Sequence, residues 1–239
     1  MKGVIAAGGL GTRLRPLTHI TNKHLLPVFD KPMILYPMET LRKSGIEEIM
    51  IVCGREHAGH FMNFLGSGAE YGVNLSYSIQ GKDDAGIADV LKYAKDFAKK
   101  DNIAFILGDN IFENDFVKAV NKFKKGTTIF LKEVNDPERF GTPVFDKTGK
   151  KILEIKEKPL KPTSKYAQVG FYLFDNRVFD MLKDLKPSSR GQLEIVDAVN
   201  RYIKSGDSQH EFVKGFWSDA GTVESLLKAS NWVAGEKDE

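Results

Sequence analysis

KGVIAAGGLGTRLRPLTHITNKHLLPVF, residues 2–29, is the stretch whose reading decides the fold. It opens with the apolar run Gly3-Val4-Ile5-Ala6-Ala7, long enough for a buried parallel strand. The run breaks into Gly8-Gly9-Leu10-Gly11-Thr12-Arg13, where Gly8, Gly9 and Gly11 free the backbone for positive φ and close approach. A glycine turn after a strand aims successive N–H groups at one spot, which makes a nest for phosphate oxygens. Arg13 follows with a planar fork suited to phosphate. Lys23, in Asn22-Lys23-His24-Leu25-Leu26-Pro27, is a point charge that a folded-back loop could place beside Arg13. Backbone amides plus two cations describe a site for a polyphosphate, most simply a nucleoside triphosphate. A glycine run after a strand also serves as a plain tight connection, so the glycines alone do not carry the reading.

Neither familiar phosphate pattern fits. There is no G-x4-G-K-[ST], and Gly9-Leu10-Gly11 is not followed by glycine three positions on. Gly8-Gly9-Leu10-Gly11-Thr12-Arg13-Leu14, with Asn22-Lys23-His24-Leu25-Leu26-Pro27-Val28 and Lys31-Pro32-Met33-Ile34, instead resembles the signature of the sugar-phosphate nucleotidyltransferases. Within that group it most resembles the glucose-1-phosphate thymidylyltransferases (dTDP-glucose pyrophosphorylases).

Composition sets outer bounds. The 239 residues are 41% hydrophobic and 28% charged, enough to bury the core of one large α/β domain. A net charge of +3, spread along the chain, suits anionic small molecules and falls far short of a nucleic-acid-binding stripe. The single cysteine, Cys53, sits in an apolar run and reads as a buried, inert thiol, without a disulfide framework or cysteine metal site. No segment approaches membrane-helix length, and the chain enters its first strand without a signal peptide. A cytoplasmic protein with no membrane partner is expected.

Outward from the glycine loop, apolar β-branched runs alternate with amphipathic stretches. Helices are expected over 34–43, 57–65, 87–97 and 116–123, and strands over 48–54, 73–80 and 103–108. This rhythm argues for a doubly wound, mostly parallel, Rossmann-like sheet with ligands at the carboxyl ends of its strands. After Lys125 the rhythm changes. The pieces 127–134, 143–146 and 152–156 read as meandering antiparallel strands, followed by a strand over 168–174 and helices over 178–185 and 193–203. Thr222 caps a last helix to Val233, and 235–239 reads as a frayed tail. The expectation is one domain, with about 1–125 binding nucleotide and about 126–239 forming an antiparallel sugar-binding extension.

A triphosphate nest needs a divalent metal, usually Mg²⁺ on one or two carboxylates plus phosphates. Asp109, in Ile106-Leu107-Gly108-Asp109-Asn110 at the end of a buried strand, faces the same crevice, although a turn aspartate explains its position equally well. Asp219, in Trp217-Ser218-Asp219-Ala220-Gly221-Thr222, stands just ahead of a helix, where capping is the simpler explanation. Glu154-Ile155-Lys156-Glu157-Lys158-Pro159 reads by itself as a charged, solvated strand end.

The resemblance adds roles. It implies that Asp109 and Asp219 hold the metal, that Glu157 bonds sugar hydroxyls, and that Lys158 holds the sugar phosphate. It further implies that Gly141 meets the hexose with its backbone, that Gln80 and Gly86 read the base, and that Arg190 lies near the sugar phosphate. Arg13 then serves the leaving pyrophosphate and Lys23 the transferring phosphates. Gly8, Gly9, Gly11 and Thr12 form the nucleotide loop. The chain departs from the family pattern at Ala6 beside the base, at Val169 before Gly170 near the sugar phosphate, and at Gln192 and Ala220. The chain stops soon after its last helix, so weak feedback regulation is expected. The implied reaction is Mg²⁺-dependent: dTTP plus glucose 1-phosphate gives dTDP-glucose and pyrophosphate, carried out by a homo-oligomer. Two alternatives stand beside it, a UTP or other hexose-1-phosphate preference and a nucleotide-sugar-binding regulator without turnover. Retention of both cations and both carboxylates argues against the second.

Overall fold

The computed structural model describes residues 1–82 and 85–235. The expected tail beyond Gly235 lies outside the described residues. A seven-stranded sheet carries the fold, in the order Ser208–Phe212, Thr127–Glu133, Tyr166–Phe174, Ile103–Leu107, Lys2–Ala7, Glu48–Gly54, Asn74–Gln80. Every strand runs the same way except Tyr166–Phe174, which is antiparallel to both neighbours. Its strands are Val/Ile/Phe-rich because both faces are covered. Val4, Val52, Phe105, Ile129 and Tyr172 point to one side, against the helices Ile87–Lys92 and Ile195–Lys204. Ile5, Ile51, Ile106, Phe130 and Phe171 point to the other, against Leu35–Lys43, Ala58–Leu65 and Val117–Lys122. This is the doubly wound sheet that the sequence implies.

Three expectations change in detail. The helix over 87–97 is two short pieces, Ile87–Lys92 and Lys95–Ala98, because Tyr93 and Ala94 close the first with turn-type bonds to Val90 and Leu91. The helix over 178–185 is a single turn, Val178–Met181, ahead of Asp184 in the left-handed region. Beyond Lys125, Gly141–Phe145 and Ile152–Glu157 form an antiparallel pair outside the central sheet. Thr127–Glu133 and Tyr166–Phe174 enter the central sheet, together with Ser208–Phe212, whose polar-looking sequence carries little strand signal.

The last helix, Val223–Val233, begins with a capping box in which Thr222 accepts from the Ser225 N–H. Its Ala229 closes a small third core with Val28, Met33, Tyr36 and Ile111. That packing ties the Trp217–Ser218 strand, paired with Ile111–Phe112, to the carboxyl ends of the parallel strands.

Candidate active site

One cleft of about 470 Å³ opens where the parallel strands end. Ala6, Gly8, Gly9, Gly11, Thr12, Arg13, Lys23, Gln80, Gly86, Asp109, Gly141, Glu157, Lys158, Arg190 and Asp219 all line it. These residues come from every part of the chain, and the fold brings them together.

The glycine loop follows the Lys2–Ala7 strand directly. Gly11 has φ 58°, and a Cβ there would lie 2.9 Å from Thr18 Cγ2, so this turn demands glycine. The chain then folds back through Asn22, whose buried Oδ1 accepts from the His24 N–H (2.9 Å) and faces His24 Nδ1 (2.8 Å). Burial, with Lys23 adjoining, lowers the His24 pKa to about 3, so the ring is neutral and Nδ1 carries the donated proton. This small network points Lys23 inward, where its Nζ meets Asp109 Oδ2 at 2.5 Å. Arg13 stays exposed, with its guanidinium over Gly221, where a Cβ would come within 3.3 Å of NH2.

Asp109 follows the Ile103–Leu107 strand and is buried. Burial alone would raise its carboxyl; the Lys23 ammonium reverses this and holds it below the usual carboxylate range. Its Oδ1 accepts from Asn110 Nδ2 at 2.9 Å, and Asn110 Oδ1 in turn accepts from Gly170 N (2.9 Å) and Trp217 Nε1 (2.8 Å). Thr222, not Asp219, caps the last helix, so Asp219 is left facing the cleft, with Oδ2 3.3 Å from Arg139. Burial and the negative charge of Asp109 push the Asp219 carboxyl up. Two carboxylates that repel each other in a buried cleft form a donor set that a divalent cation relieves. Among the described residues no cluster of three or more His, Cys, Asp or Glu gathers. Such an ion would complete its shell with ligand phosphates and water, as Mg²⁺ does. The residues therefore fit it.

On the far side, Lys158 adopts φ 44°, an uncommon conformation for a side-chain-bearing residue, and its N–H bonds Phe140. Burial and then the charge of Arg190 lower its pKa, with a further contribution from Arg13. Glu157 accepts from Arg190 at 2.9 Å, and the same guanidinium reaches the buried Glu194 at 2.9 Å. Gly86 has φ 100°, and a Cβ there would strike the Leu193 backbone at 2.4 Å; only glycine brings the two segments this close. Gln80 is 2% exposed. Its Nε2 donates to Asp89 Oδ2 (3.4 Å), and its Oε1 has no partner.

Val169 requires correction as a cleft residue. Along Tyr166–Phe174 the pleat alternates, and Val169 falls with Phe171 and Leu173 in the opposite core, while Gln168, Gly170 and Tyr172 face the cleft. An irregularity in pairing with Thr127–Glu133, between Gln168 and Tyr172, turns the Gly170 N–H to Asn110. Asn110, Arg139, Gln168, Trp217 and Glu194 also line the cleft, and none was assigned a role from sequence. Gln168 alone carried a usable signal, as an amide in an otherwise apolar strand.

A glycine anion loop at the ends of parallel strands, facing cations and two carboxylates, defines a nucleotide-handling α/β domain. The chain belongs to the nucleotidyl transferase family, which matches residues 2–236. It is 42% identical to a glucose-1-phosphate thymidylyltransferase of Xanthomonas campestris, over 97% of this chain and 80% of that protein. It is 41% identical to the Neisseria meningitidis protein of the same name, over 98% and 82%. Among solved structures, a Bacillus anthracis protein provisionally assigned as a glucose-1-phosphate thymidylyltransferase, in complex with a sucrose, superposes with TM-score 0.92. It shares 45% identity over 100% of this chain and 96% of that one. A UDP-glucose pyrophosphorylase complexed with UDP-glucose gives TM-score 0.84 at 25% identity, covering 99% of each chain. Among the described residues, no helix is long and apolar enough to cross a membrane.

Proposed function

We propose that this chain transfers a thymidylyl group from dTTP to glucose 1-phosphate, releasing pyrophosphate and giving dTDP-glucose. The observation that carries this reading is the cation cluster. Lys158 lines the cleft with an exposed side chain and feels the positive charge of both Arg190 and Arg13, so an anion entering between them is favoured. Arg13 and Lys23 belong to the nucleotide side, and Lys158 and Arg190 to the sugar side. A phosphate from each substrate meets between these groups.

The nucleophile is already an anion, so the site needs little acid–base chemistry. Positioning and charge neutralisation are what the residues supply. Arg13 holds the leaving pyrophosphate in line, Lys23 bonds the transferring phosphate, and Lys158 orients the attacking sugar phosphate. Glu157 and the Gly141 backbone hold the hexose. Asp109 and Asp219 would hold Mg²⁺, which supplies charge neutralisation on the phosphates when bound. The free Gln80 Oε1 accepts the imide N–H of a pyrimidine base.

The test is pyrophosphate release over a panel of nucleoside triphosphates crossed with sugar 1-phosphates. The highest kcat/KM is expected for dTTP with glucose 1-phosphate. A higher value with UTP would move the reading to uridylyl transfer with the same residues in the same roles. Absence of turnover across the panel would leave a binding protein.

A further inference from the structure

Two glutamines face the cleft as buried amides with unmet hydrogen-bonding capacity, and only one of them has been given a role. Gln168 is 5% exposed, and neither its Oε1 nor its Nε2 has a partner. Leaving both ends of an amide unpaired in a buried site is costly, on the order of 1–3 kcal/mol for each group. The amide is therefore placed for a group that arrives with the substrate.

The sheet order says which group. Gln80 ends the Asn74–Gln80 edge strand, while Gln168 lies on Tyr166–Phe174, with Glu48–Gly54, Lys2–Ala7 and Ile103–Leu107 between them. Four strand steps separate the two amides by about 19 Å at ~4.8 Å per step. The glycine loop follows Lys2–Ala7, the central one of the three strands between them, and Asp109 follows Ile103–Leu107 beside it. Phosphates thus occupy the centre of the cleft, the base sits at the Gln80 end, and the sugar sits at the Gln168 end. Gln168 Oε1 also adjoins Gly141, where a Cβ would stand 3.1 Å away. A phosphate does not suit Gln168, because half of the amide is an acceptor. Two neighbouring ring hydroxyls do suit it, since one donates to Oε1 and the other accepts from Nε2.

We propose that Gln168 is a specificity-determining residue that grips a pair of adjacent hydroxyls on the hexose 1-phosphate. This rests on the reading of the cleft as a sugar-1-phosphate site. It makes the enzyme selective for sugars that keep both hydroxyls, since a deoxy sugar would leave half the amide buried and unpaired.

The experiment measures kcat/KM at saturating dTTP for glucose 1-phosphate and its 2-, 3-, 4- and 6-deoxy counterparts, in the wild type and in Gln168→Leu. In the wild type, loss of either of two adjacent hydroxyls should lower kcat/KM by about 10²-fold or more. In Gln168→Leu those same penalties should shrink below tenfold, while penalties at the other positions and the dTTP/UTP ratio stay as they were. Should the leucine variant not fold, Gln168→Met, close to glutamine in length but without the amide's N–H donors and carbonyl acceptor, should shrink the same two penalties. An unchanged profile of deoxy penalties, with all substrates reduced alike, would assign Gln168 to internal structure and overturn the proposal alone. A wild type that turns over no sugar 1-phosphate would overturn the parent reading and this proposal with it.

Discussion

Lys23 Nζ lies 2.5 Å from Asp109 Oδ2, so a cation expected on substrate phosphate is paired with a carboxylate expected on the metal. Both side chains are largely buried, at 17% and 11% exposure. A lysine on an open loop can be truncated at little cost in stability, but Lys23 is held in this ion pair. Lys23→Ala should lower kcat by roughly 10²-fold or more. It should also lower the melting temperature by roughly 5–10 °C, because it strands a buried carboxylate. Lys23→Ala combined with Asp109→Asn should recover part of that loss. Arg13→Ala, at an exposed position, should show the same loss of kcat with an unchanged melting temperature. Calorimetry beside steady-state kinetics separates the cases, and near-normal turnover in either single variant would remove the residue from the mechanism.

Metal removal tests the carboxylate pair. Bringing two anionic substrates together in a desolvated cleft without a divalent ion is strongly opposed. Turnover should vanish with EDTA and return with Mg²⁺. Asp219→Asn, which keeps the shape but removes the charge, should raise the Mg²⁺ concentration for half-maximal rate at least roughly tenfold. Persistent turnover in chelator would show that the pair serves another purpose.

Away from the cleft, Asp175 predicts the response of stability to acid. Its carboxylate accepts from Gly126 N (2.7 Å), Arg177 Nε (2.9 Å) and Tyr202 OH (2.7 Å). Burial would raise its pKa, but these bonds, led by Arg177, hold it below the usual value. A carboxylate with a depressed folded-state pKa contributes stability above its unfolded value, about pH 4, and loses it as pH falls through the folded one. Asp175→Asn should therefore cost about 2 kcal/mol near pH 7, roughly 4–8 °C in melting temperature. The gap between wild type and variant should narrow as pH drops from 6 to 3. A gap that stays constant across that range would show that the charge at Asp175 does not matter.

How much of this was legible in the sequence depends on the range of the signal. The glycine loop, the Glu48–Gly54 strand and the last helix declare themselves through local patterns: an apolar run, a turn, a capping threonine. Asp109 and Asp219 were identifiable from short motifs, but only the fold shows that, with Thr222 as the cap, Asp219 faces the cleft. Val169 was misplaced because a one-residue shift along a pleated strand exchanges the cleft for the core. Ser208–Phe212 was missed because an edge strand with alternating polar residues takes its place through pairing with Thr127–Glu133, not through composition. The Lys23–Asp109 pair joins positions far apart in the chain, and no local pattern encodes it.

The final prediction concerns the base. An amide side chain can present either end to a ligand, and the choice decides which base it accepts. At Gln80 the choice is made by Asp89, whose carboxylate only accepts hydrogen bonds and so takes Nε2 at 3.4 Å. Oε1 is left free and buried, facing Gly8, where a Cβ would stand 2.4 Å away. A fixed acceptor there matches the imide N–H shared by thymine and uracil and opposes the ring nitrogen of cytosine. It does not separate dTTP from UTP. That choice falls to the 5-methyl group and the 2′ position, and one buried methyl is worth only ~1–3 kcal/mol, about 10–200-fold. Ala6, small and lining the cleft, would give a base there little side-chain packing. dTTP should thus lead with UTP a measurable second, and CTP and the purine triphosphates should be poor. Gln80→Ala should lower kcat/KM for both uracil and thymine nucleotides while leaving the Mg²⁺ requirement unchanged. Asp89→Ala frees the amide to turn, so it should narrow the preference of dTTP over dCTP while preserving turnover with dTTP. If Asp89→Ala leaves the dTTP/dCTP ratio of kcat/KM where it was, the carboxylate does not set the orientation of Gln80, and the base is selected elsewhere in the cleft.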